Sequence, residues 1–528
     1  MSDIRLFKKQ AERHLELIAF QENDDLASGK RKNGYLTEEV ETAPVFSFSA
    51  HLVLQSQPST ADDVEEQHIY SQYGLLGHRL RDTDTTPSHN ELVYTNVSAP
   101  WSVFICGSQG SGKSHSLSCL LENCLISSSP AGKLSSPLAG LVLHYDKFTA
   151  FSSTQLCEAA YLCSAKIPVR VLVSPTNYVA MKNAYTKLIG LGDVSHLLTV
   201  EPMYLPQEGL NIAMMRTLMG LGDKKSQPLY IEMVMKILRE MAIANQGRKS
   251  FNYKLFRRRL DEEQFMKGQE VPLKMRLDVL ESFFEPEATP GAQGKKSKTQ
   301  TDKIWKFEKG TLTIIDLSCP FVDPDDACAL FNICISLFLK DRHEAGRVLA
   351  LDEAHKFLGA TSAEALDLTD TLLSIVRQQR HLGTRVIIAT QEPTMSPSLL
   401  DLCNVTIIHR FTSPAWFKAI KSHIAGASLE KQDGDEAGSD FFHRIVSLAT
   451  GEALLFCPAA LVDVEKHENN GNTKQTYGSA PVNERGFGMT DGYGVAHSHR
   501  VMKLGSKHLH LRIRKRITAD GGRSLIEK

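Results

Sequence analysis

Two hydrophobic periods alternate along most of this chain. Short apolar runs bounded by turn residues occur at Val103 to Cys106, Gly140 to Tyr145, Val169 to Val173, Leu312 to Asp316, Val348 to Asp352, Arg385 to Thr390 and Val405 to Ile408. Most are rich in β-branched residues and apolar on both faces, the pattern of buried strands in a mostly parallel sheet. Between them lie segments with helical spacing. Examples are Leu117, Leu120, Leu121 and Cys124 after the first run, and Ile231, Val234, Met235, Ile237, Leu238 and Met241 within Tyr230 to Ala244. This alternation predicts an α/β fold.

Other stretches break the pattern. Residues 1–91 are polar and irregular, with weak helical spacing over Lys8 to Phe20 and partial alternation over Val45 to Leu54 that reads as a strand. The Asp-, Thr-, Ser- and Pro-rich stretches Gln57 to Glu66 and Arg81 to Glu91 read as loops. The region is expected to be an N-terminal extension with at most a small β element. The core then occupies 92–206 and 304–465, interrupted by a helical insertion at 207–286 and a Gly-, Pro-, Lys- and Ser-bearing flexible linker at 287–303. Residues 466–528 close the chain, with an Asn-, Gly- and His-rich stretch from Lys466 to Ser498 expected to be disordered. No internal repeat is visible.

Composition narrows the choice of function. The 528 residues carry 60 Lys plus Arg against 61 Asp plus Glu, a formal net charge of -1. A globally basic nucleic-acid coat is excluded, so contact with nucleic acid requires a local basic surface. Hydrophobic residues at 42% and charged residues at 23% exclude a mostly disordered chain, a collagen-like chain and a coiled-coil rod. The longest uncharged apolar stretch, Ala327 to Leu339, is shorter than the roughly 20 residues of a membrane span. Glu12 and Glu16 follow the N-terminal lysines too closely for a signal peptide, so an intracellular site, cytoplasmic or nuclear, is expected. Ten scattered cysteines with no C-x-x-C read as buried free thiols, and no closely spaced ligand pair suggests zinc. Asn96-Val97-Ser98 reads as a chance sequon without a secretory signal.

The strongest chemical signal is Gly107-Ser108-Gln109-Gly110-Ser111-Gly112-Lys113-Ser114, which fits G-x-x-x-x-G-K-[ST]. A polyphosphate wrapped by backbone N–H groups needs glycines that permit unusual backbone angles and close approach. The loop sits between a strand, Val103 to Cys106, and a helix, Ser114 to Leu125, whose N-terminus favours negative charge. In this pattern Lys113 reaches the β- and γ-phosphates and the Ser114 hydroxyl binds Mg²⁺. ATP or GTP is the expected ligand.

The hydrolytic half lies at Val348-Leu349-Ala350-Leu351-Asp352-Glu353. Two carboxylates end an apolar strand, at the edge where parallel sheets place their sites. Asp352 is the candidate Mg²⁺ ligand of a Walker B element, and Glu353 the group that orients or deprotonates the attacking water. Alone, the pair also reads as an exposed turn. Gln391, after the next strand, is a candidate γ-phosphate sensor or else a loop glutamine.

Together these segments resemble the HerA/FtsK superfamily of P-loop motor ATPases, and HerA-type proteins more than FtsK. The resemblance rests on Leu351 to His355, Arg377-Gln378-Gln379-Arg380-His381-Leu382-Gly383 and Val386 to Pro393. Gly310 to Ser318, His409-Arg410-Phe411 and Leu448 to Leu454 add to it, and it covers about residues 95 to 460. Glu392 departs from the pattern, because bacterial translocases often carry Arg there. The resemblance implies a RecA-like core, a homo-hexameric ring, ATP with Mg²⁺, and an arginine finger from the neighbouring subunit. Arg380 and Arg410 are the candidates for that finger, ahead of Arg377, and each reads equally as a salt-bridged surface residue.

The alternating stretch Lys507 to Ile517 predicts a strand with Leu509, Leu511, Ile513 and Ile517 on one face, interrupted by Lys515, and His508, His510, Arg512, Arg514 and Arg516 on the other. That basic face suits phosphate backbone, a ring interface, or an edge strand protected by charge. Arg257-Arg258-Arg259 reads as a solvated helix face. The expected function is an ATP-driven ring motor acting on DNA. The alternatives are an ATPase acting on a protein complex, or a nucleotide-gated scaffold.

Overall fold

The computed structural model describes residues 34–55, 69–81, 88–147, 155–188, 191–207, 215, 229–245, 251–263, 265, 270–286, 300–340, 346–359, 362–393, 396–423, 436–467, 488–490 and 496–520. The weak helix expected over Lys8 to Phe20 lies outside them.

Among the described residues, one hydrogen-bonded sheet contains all the strands. In chain order these are β1 Val45–Ser47, β2 Tyr73–Arg79, β3 Leu92–Asn96, β4 Ser102–Cys106, β5 Ser128–Ser129, β6 Gly132–Lys133, β7 Ala139–His144, β8 Val169–Val173 and β9 Leu198–Pro202. They continue as β10 Leu312–Asp316, β11 Arg347–Leu351, β12 Thr384–Thr390, β13 Val405–Ile408, β14 Glu452–Phe456, β15 Leu461–His467, β16 Gly488–Thr490, β17 Ala496–Lys503 and β18 Leu509–Ile513. All seven short apolar runs read as parallel strands are present.

The order β9-β8-β10-β7-β11-β12-β4-β13 is parallel throughout. The strand that leads into the glycine-rich loop, β4, lies between β12 and β13, and β12 separates it from the carboxylate-bearing β11. This is a RecA-like arrangement. Beyond β13 the sheet turns antiparallel through β14, β18, β2 and β3.

The parallel strands bury both faces, and alternate residues feed two cores. Val103, Ile105, Val142, Val348, Ala350 and Ile387 pack with Leu117, Leu120, Leu121 and Cys124 of the helix Lys113–Leu125. Phe104, Cys106, Leu141, Leu143, Leu349, Leu351 and Ile388 face the other core. That core takes in the insertion helices Leu229–Asn245, Tyr253–Glu262 and Glu270–Glu281, as their apolar spacing predicts. A smaller cluster around Phe46, Ala50, Leu54, Tyr70 and Leu461 ties the N-terminal segment to β15.

Several expectations change here. The strand read over Val45 to Leu54 stops at Ser47, and Phe48–Gln55 is helical. The Ser47 hydroxyl accepts the Ala50 N–H at 3.1 Å, capping a helix that buries Ala50 and Leu54 four residues apart. Residues 73–79, expected within a polar extension, are a sheet strand between β3 and β18. The helix Gln300–Ile304 runs across the expected end of the flexible linker, while 287–299 lie outside the described residues. In the stretch expected to be disordered, β15 reaches His467 and β16 and β17 form, while 468–487 and 491–495 lie outside the described residues.

The C-terminal strand stops at Ile513, short of the expected Ile517, and it is not an edge. β18 is paired on both sides, with β14 and β2. Arg512 meets Glu452 at 2.9 Å, Arg514 meets Glu122 at 2.7 Å and Arg516 meets Glu158 at 3.4 Å. The Arg514 and Arg516 side chains are only 7% and 2% exposed, so their charges are spent inside the protein. Arg257 likewise pairs with Asp261 and Glu281.

Candidate functional site

The glycine-rich loop leaves β4 and is tied to the segment after β13. The Ser108 backbone N–H and its hydroxyl both donate to the Arg410 carbonyl at 2.9 Å. Inside the loop, the Ser108 carbonyl accepts the Ser111 hydroxyl at 2.7 Å and the Lys113 ammonium at 3.1 Å. A Cβ at Gly107 would lie 2.6 Å from the Cβ of His409, so only glycine lets the loop pass there. Gly112, with φ at 114°, holds the left-handed conformation from which the helix Lys113–Leu125 starts. Gln109 and Gly110 are exposed, while Ser114 and Gly112 are half-buried.

Lys113 is buried, which lowers its proton affinity, and Glu353 and Asp352 oppose that shift through their charge. The two ends of the site, more than two hundred residues apart in sequence, therefore face each other. The cradle offers backbone N–H groups and one ammonium to a polyphosphate. The Ser114 hydroxyl and the Asp352 carboxylate, oxygen donors only, suit a hard cation such as Mg²⁺.

Asp352 follows β11 directly, and its N–H donates to the Leu143 carbonyl at 3.0 Å. Three adjacent strands thus end in Asp316, His144 and Asp352, since Asp316 is in register with His144. His144 Nδ1 lies 3.2 Å from Asp352 Oδ2, and its Nε2 lies 2.9 Å from the Gln155 carbonyl. Burial alone would lower the pKa of His144, but the charges of Asp316 and Asp352 and both hydrogen bonds raise it to about 9. Burial likewise works against ionised Asp352, yet His144 holds that carboxyl below its ordinary range.

Glu353 is 4% exposed and has φ at 50°, a left-handed conformation rare outside glycine. Such strain persists only where the surroundings enforce it, and it concentrates at functional sites. Gln391 Nε2 lies 3.2 Å from each Glu353 oxygen. The Gln391 backbone N–H lies 3.4 Å from His355 Nδ1, and burial keeps that imidazole below its ordinary pKa. Lys356 pairs with Asp146 at 2.8 Å, joining the turn after β11 to the segment after β7.

The structure therefore brings together the loop 107–114, Asp352, Glu353 and Gln391. It does not bring Arg380 to them: that side chain is 67% exposed and pairs with Glu38 at 3.5 Å. Arg377 is exposed and Arg410 half-buried. His144, His355 and Cys157 are the site neighbours that the sequence reading missed. A polar residue closing an apolar parallel strand, as His144 does, was the available signal.

Fold and loop together give a RecA-like core that carries a P-loop at the end of β4. No family model matches the sequence, and no curated protein does. Among solved structures the chain is similar to VirB4 of Thermoanaerobacter pseudethanolicus, at 12% identity and TM-score 0.45, over 87% of this chain and 98% of that one. It is also similar to the genome packaging NTPase B204 of Sulfolobus turreted icosahedral virus 2 at 16% identity and TM-score 0.23, over 32% of this chain and 71% of that one. A third is the pCW3 conjugation coupling protein TcpA, at 11% identity and TM-score 0.28, over 77% and 69% respectively. At these identities and scores the functional reading rests on the residues of this chain. Among the described residues, no helix is long and apolar enough to cross a membrane.

Proposed function

We propose that this chain hydrolyses ATP as a ring-forming motor of HerA type whose client is DNA. The observation that carries the reading is Glu353, strained and gripped by Gln391, beside Asp352 and facing the Lys113 loop. Lys113 and the loop N–H groups hold the β- and γ-phosphates. Ser114 and Asp352 hold Mg²⁺, which neutralises phosphate charge when bound. Glu353 orients water and accepts its proton as that oxygen attacks the γ-phosphorus and the bond to ADP breaks. Gln391 positions the Glu353 carboxylate and senses the γ-phosphate.

In this reading Arg380 or Arg410 reaches the site of a neighbouring subunit in a hexamer. A finger supplied in trans is worth about 10³ to 10⁵ in rate. The rate per subunit then rises with protein concentration, and mixing Arg380→Ala or Arg410→Ala subunits with Glu353→Gln subunits restores partial activity. A flat rate and no rescue would overturn the shared site.

One observation favours a protein client as a second reading: Arg514 and Arg516, just after the C-terminal strand, are buried in internal ion pairs, which removes two of the expected DNA-facing charges. ATP turnover with and without duplex DNA, with oligomer mass measured in parallel, decides between them. Stimulation by DNA supports the first reading, and turnover indifferent to DNA supports the second. Binding without turnover would leave a nucleotide-gated scaffold.

A further inference from the structure

The sequence holds no closely spaced zinc-type ligand pair, but the fold assembles one set in space. His144 ends β7, Cys157 directly precedes the short helix Glu158–Ala165, and Asp352 directly follows β11. His144 Nδ1 lies 3.2 Å from Asp352 Oδ2, and Cys157 Sγ lies 3.8 Å from the same oxygen. The three ligand atoms all lie within 4.8 Å of one another, and the residues are 0%, 1% and 4% exposed.

A tetrahedral zinc ion has bonds of about 2.0–2.2 Å to nitrogen and oxygen and about 2.3 Å to sulfur, which puts neighbouring ligands roughly 3.3–3.6 Å apart. Two edges of the set, at 3.2 and 3.8 Å, lie just outside that range, within about 0.2 Å of it. The His144–Cys157 edge, no longer than 4.8 Å, is the one free to contract. The surroundings are ordered as metal ligands require. A carbonyl only accepts, so His144 Nε2 carries a proton toward Gln155 and Nδ1 is the side turned to Asp352. The Cys157 N–H donates to the Tyr185 hydroxyl at 3.2 Å, and that hydroxyl donates to Asp316 at 2.6 Å.

We propose that His144, Cys157 and Asp352 form a site for a thiophilic divalent cation of the zinc kind. A thiolate, an imidazole and one carboxylate select such an ion over Mg²⁺, and a water completes the tetrahedron. Coordination displaces the thiol proton of Cys157, because the thiolate is the ligand. Because Asp352 is shared, occupancy withdraws it from Mg²⁺ and arrests turnover. That last consequence rests on the ATPase reading, whereas the binding site does not.

The test titrates the metal-free full chain with Cd²⁺ in excess Mg²⁺ and follows the ultraviolet Cd–thiolate charge-transfer band. One equivalent is expected to develop the band and inhibit ATP turnover. Cys157→Ser is expected to lose that band and about tenfold or more in affinity for Cd²⁺. Zn-edge X-ray absorption on the unmodified chain needs no variant, and is expected to show one sulfur near 2.3 Å with nitrogen or oxygen neighbours near 2.0–2.2 Å. An unchanged titration in a folded Cys157→Ser, or a zinc shell without sulfur or with several, would overturn the site. Lys113→Ala separates the two readings, since it loses ATP binding but keeps the Cd²⁺ band.

Discussion

Gln391 Nε2 stands 3.2 Å from both carboxylate oxygens of Glu353, so one amide spans the group that would activate water. The strand order makes this possible. β12, which carries Gln391 at its end, runs between the strand of the P-loop and the strand of Glu353.

Glu353→Gln keeps Asp352 and the loop intact and removes the proton acceptor. ATP binding is expected to persist while kcat falls by about 10² to 10⁴. Single-turnover assays beside equilibrium nucleotide binding check it. Turnover within a few fold of the parent would mean that another group handles the water.

Gln391→Ala frees the carboxylate without removing it. The expectation is a fall of about 10² in kcat with little change in the KM for ATP. The double variant with Glu353→Gln is expected to be no slower than Glu353→Gln alone, since the two side chains act as one unit. Additive losses would show that Gln391 acts on something else.

Lys113→Ala removes the ammonium that sits under the loop against the Ser108 carbonyl. Binding of ATP is expected to be abolished, as measured by fluorescent nucleotide titration. Unchanged affinity would refute the phosphate-cradle assignment.

Arg514→Ala leaves Glu122, which is fully buried, with an unpaired charge. Breaking such a pair costs about 3–5 kcal/mol, and removing both charges with Glu122→Gln and Arg514→Met is expected to recover much of it. Urea unfolding of the parent and these two variants gives the comparison.

His409 links the loop helix to β14. Its Nδ1 meets the Glu452 carbonyl at 2.8 Å, so Nε2 accepts the Ser116 hydroxyl, also at 2.8 Å. Burial lowers its pKa from 6.5 to about 4. The unfolded chain therefore takes up the proton first, and stability is full above pH 6.5 and is lost as pH falls toward 4. At about 1.36 kcal/mol per unit, the shift amounts to ~3 kcal/mol. His409→Gln is expected to flatten that part of the stability profile, measured as the urea midpoint against pH.

The parallel half of the sheet was legible because strands buried on both faces are written as unbroken apolar runs, as in Ile314, Ile315 and Val348 to Leu351. The phosphate loop was legible because its glycines answer a local demand. β2 was not. A Cβ at Gly74 would collide with Asn123 and one at Gly77 with Arg512, so close packing fixed those positions and erased the alternation. The charges at Arg514 and Arg516 read as surface because their partners, Glu122 and Glu158, lie in the P-loop half of the chain. His144 and Cys157 escaped notice for the same reason, since Asp352 is 208 and 195 positions away from them.

The helix that starts at Lys113 holds Glu122 against Arg514, Ile517 and Thr518, with 392 positions between Glu122 and Arg514. At synthesis rates of about 5–20 residues per second, Glu122 waits roughly 20 to 80 s for that partner. Through that interval a carboxylate that ends up sealed in the interior stays in water, and β2 and β14 lack the strand that joins them. The P-loop half is thus translated early and closed late, which ties its maturation to completion of β18.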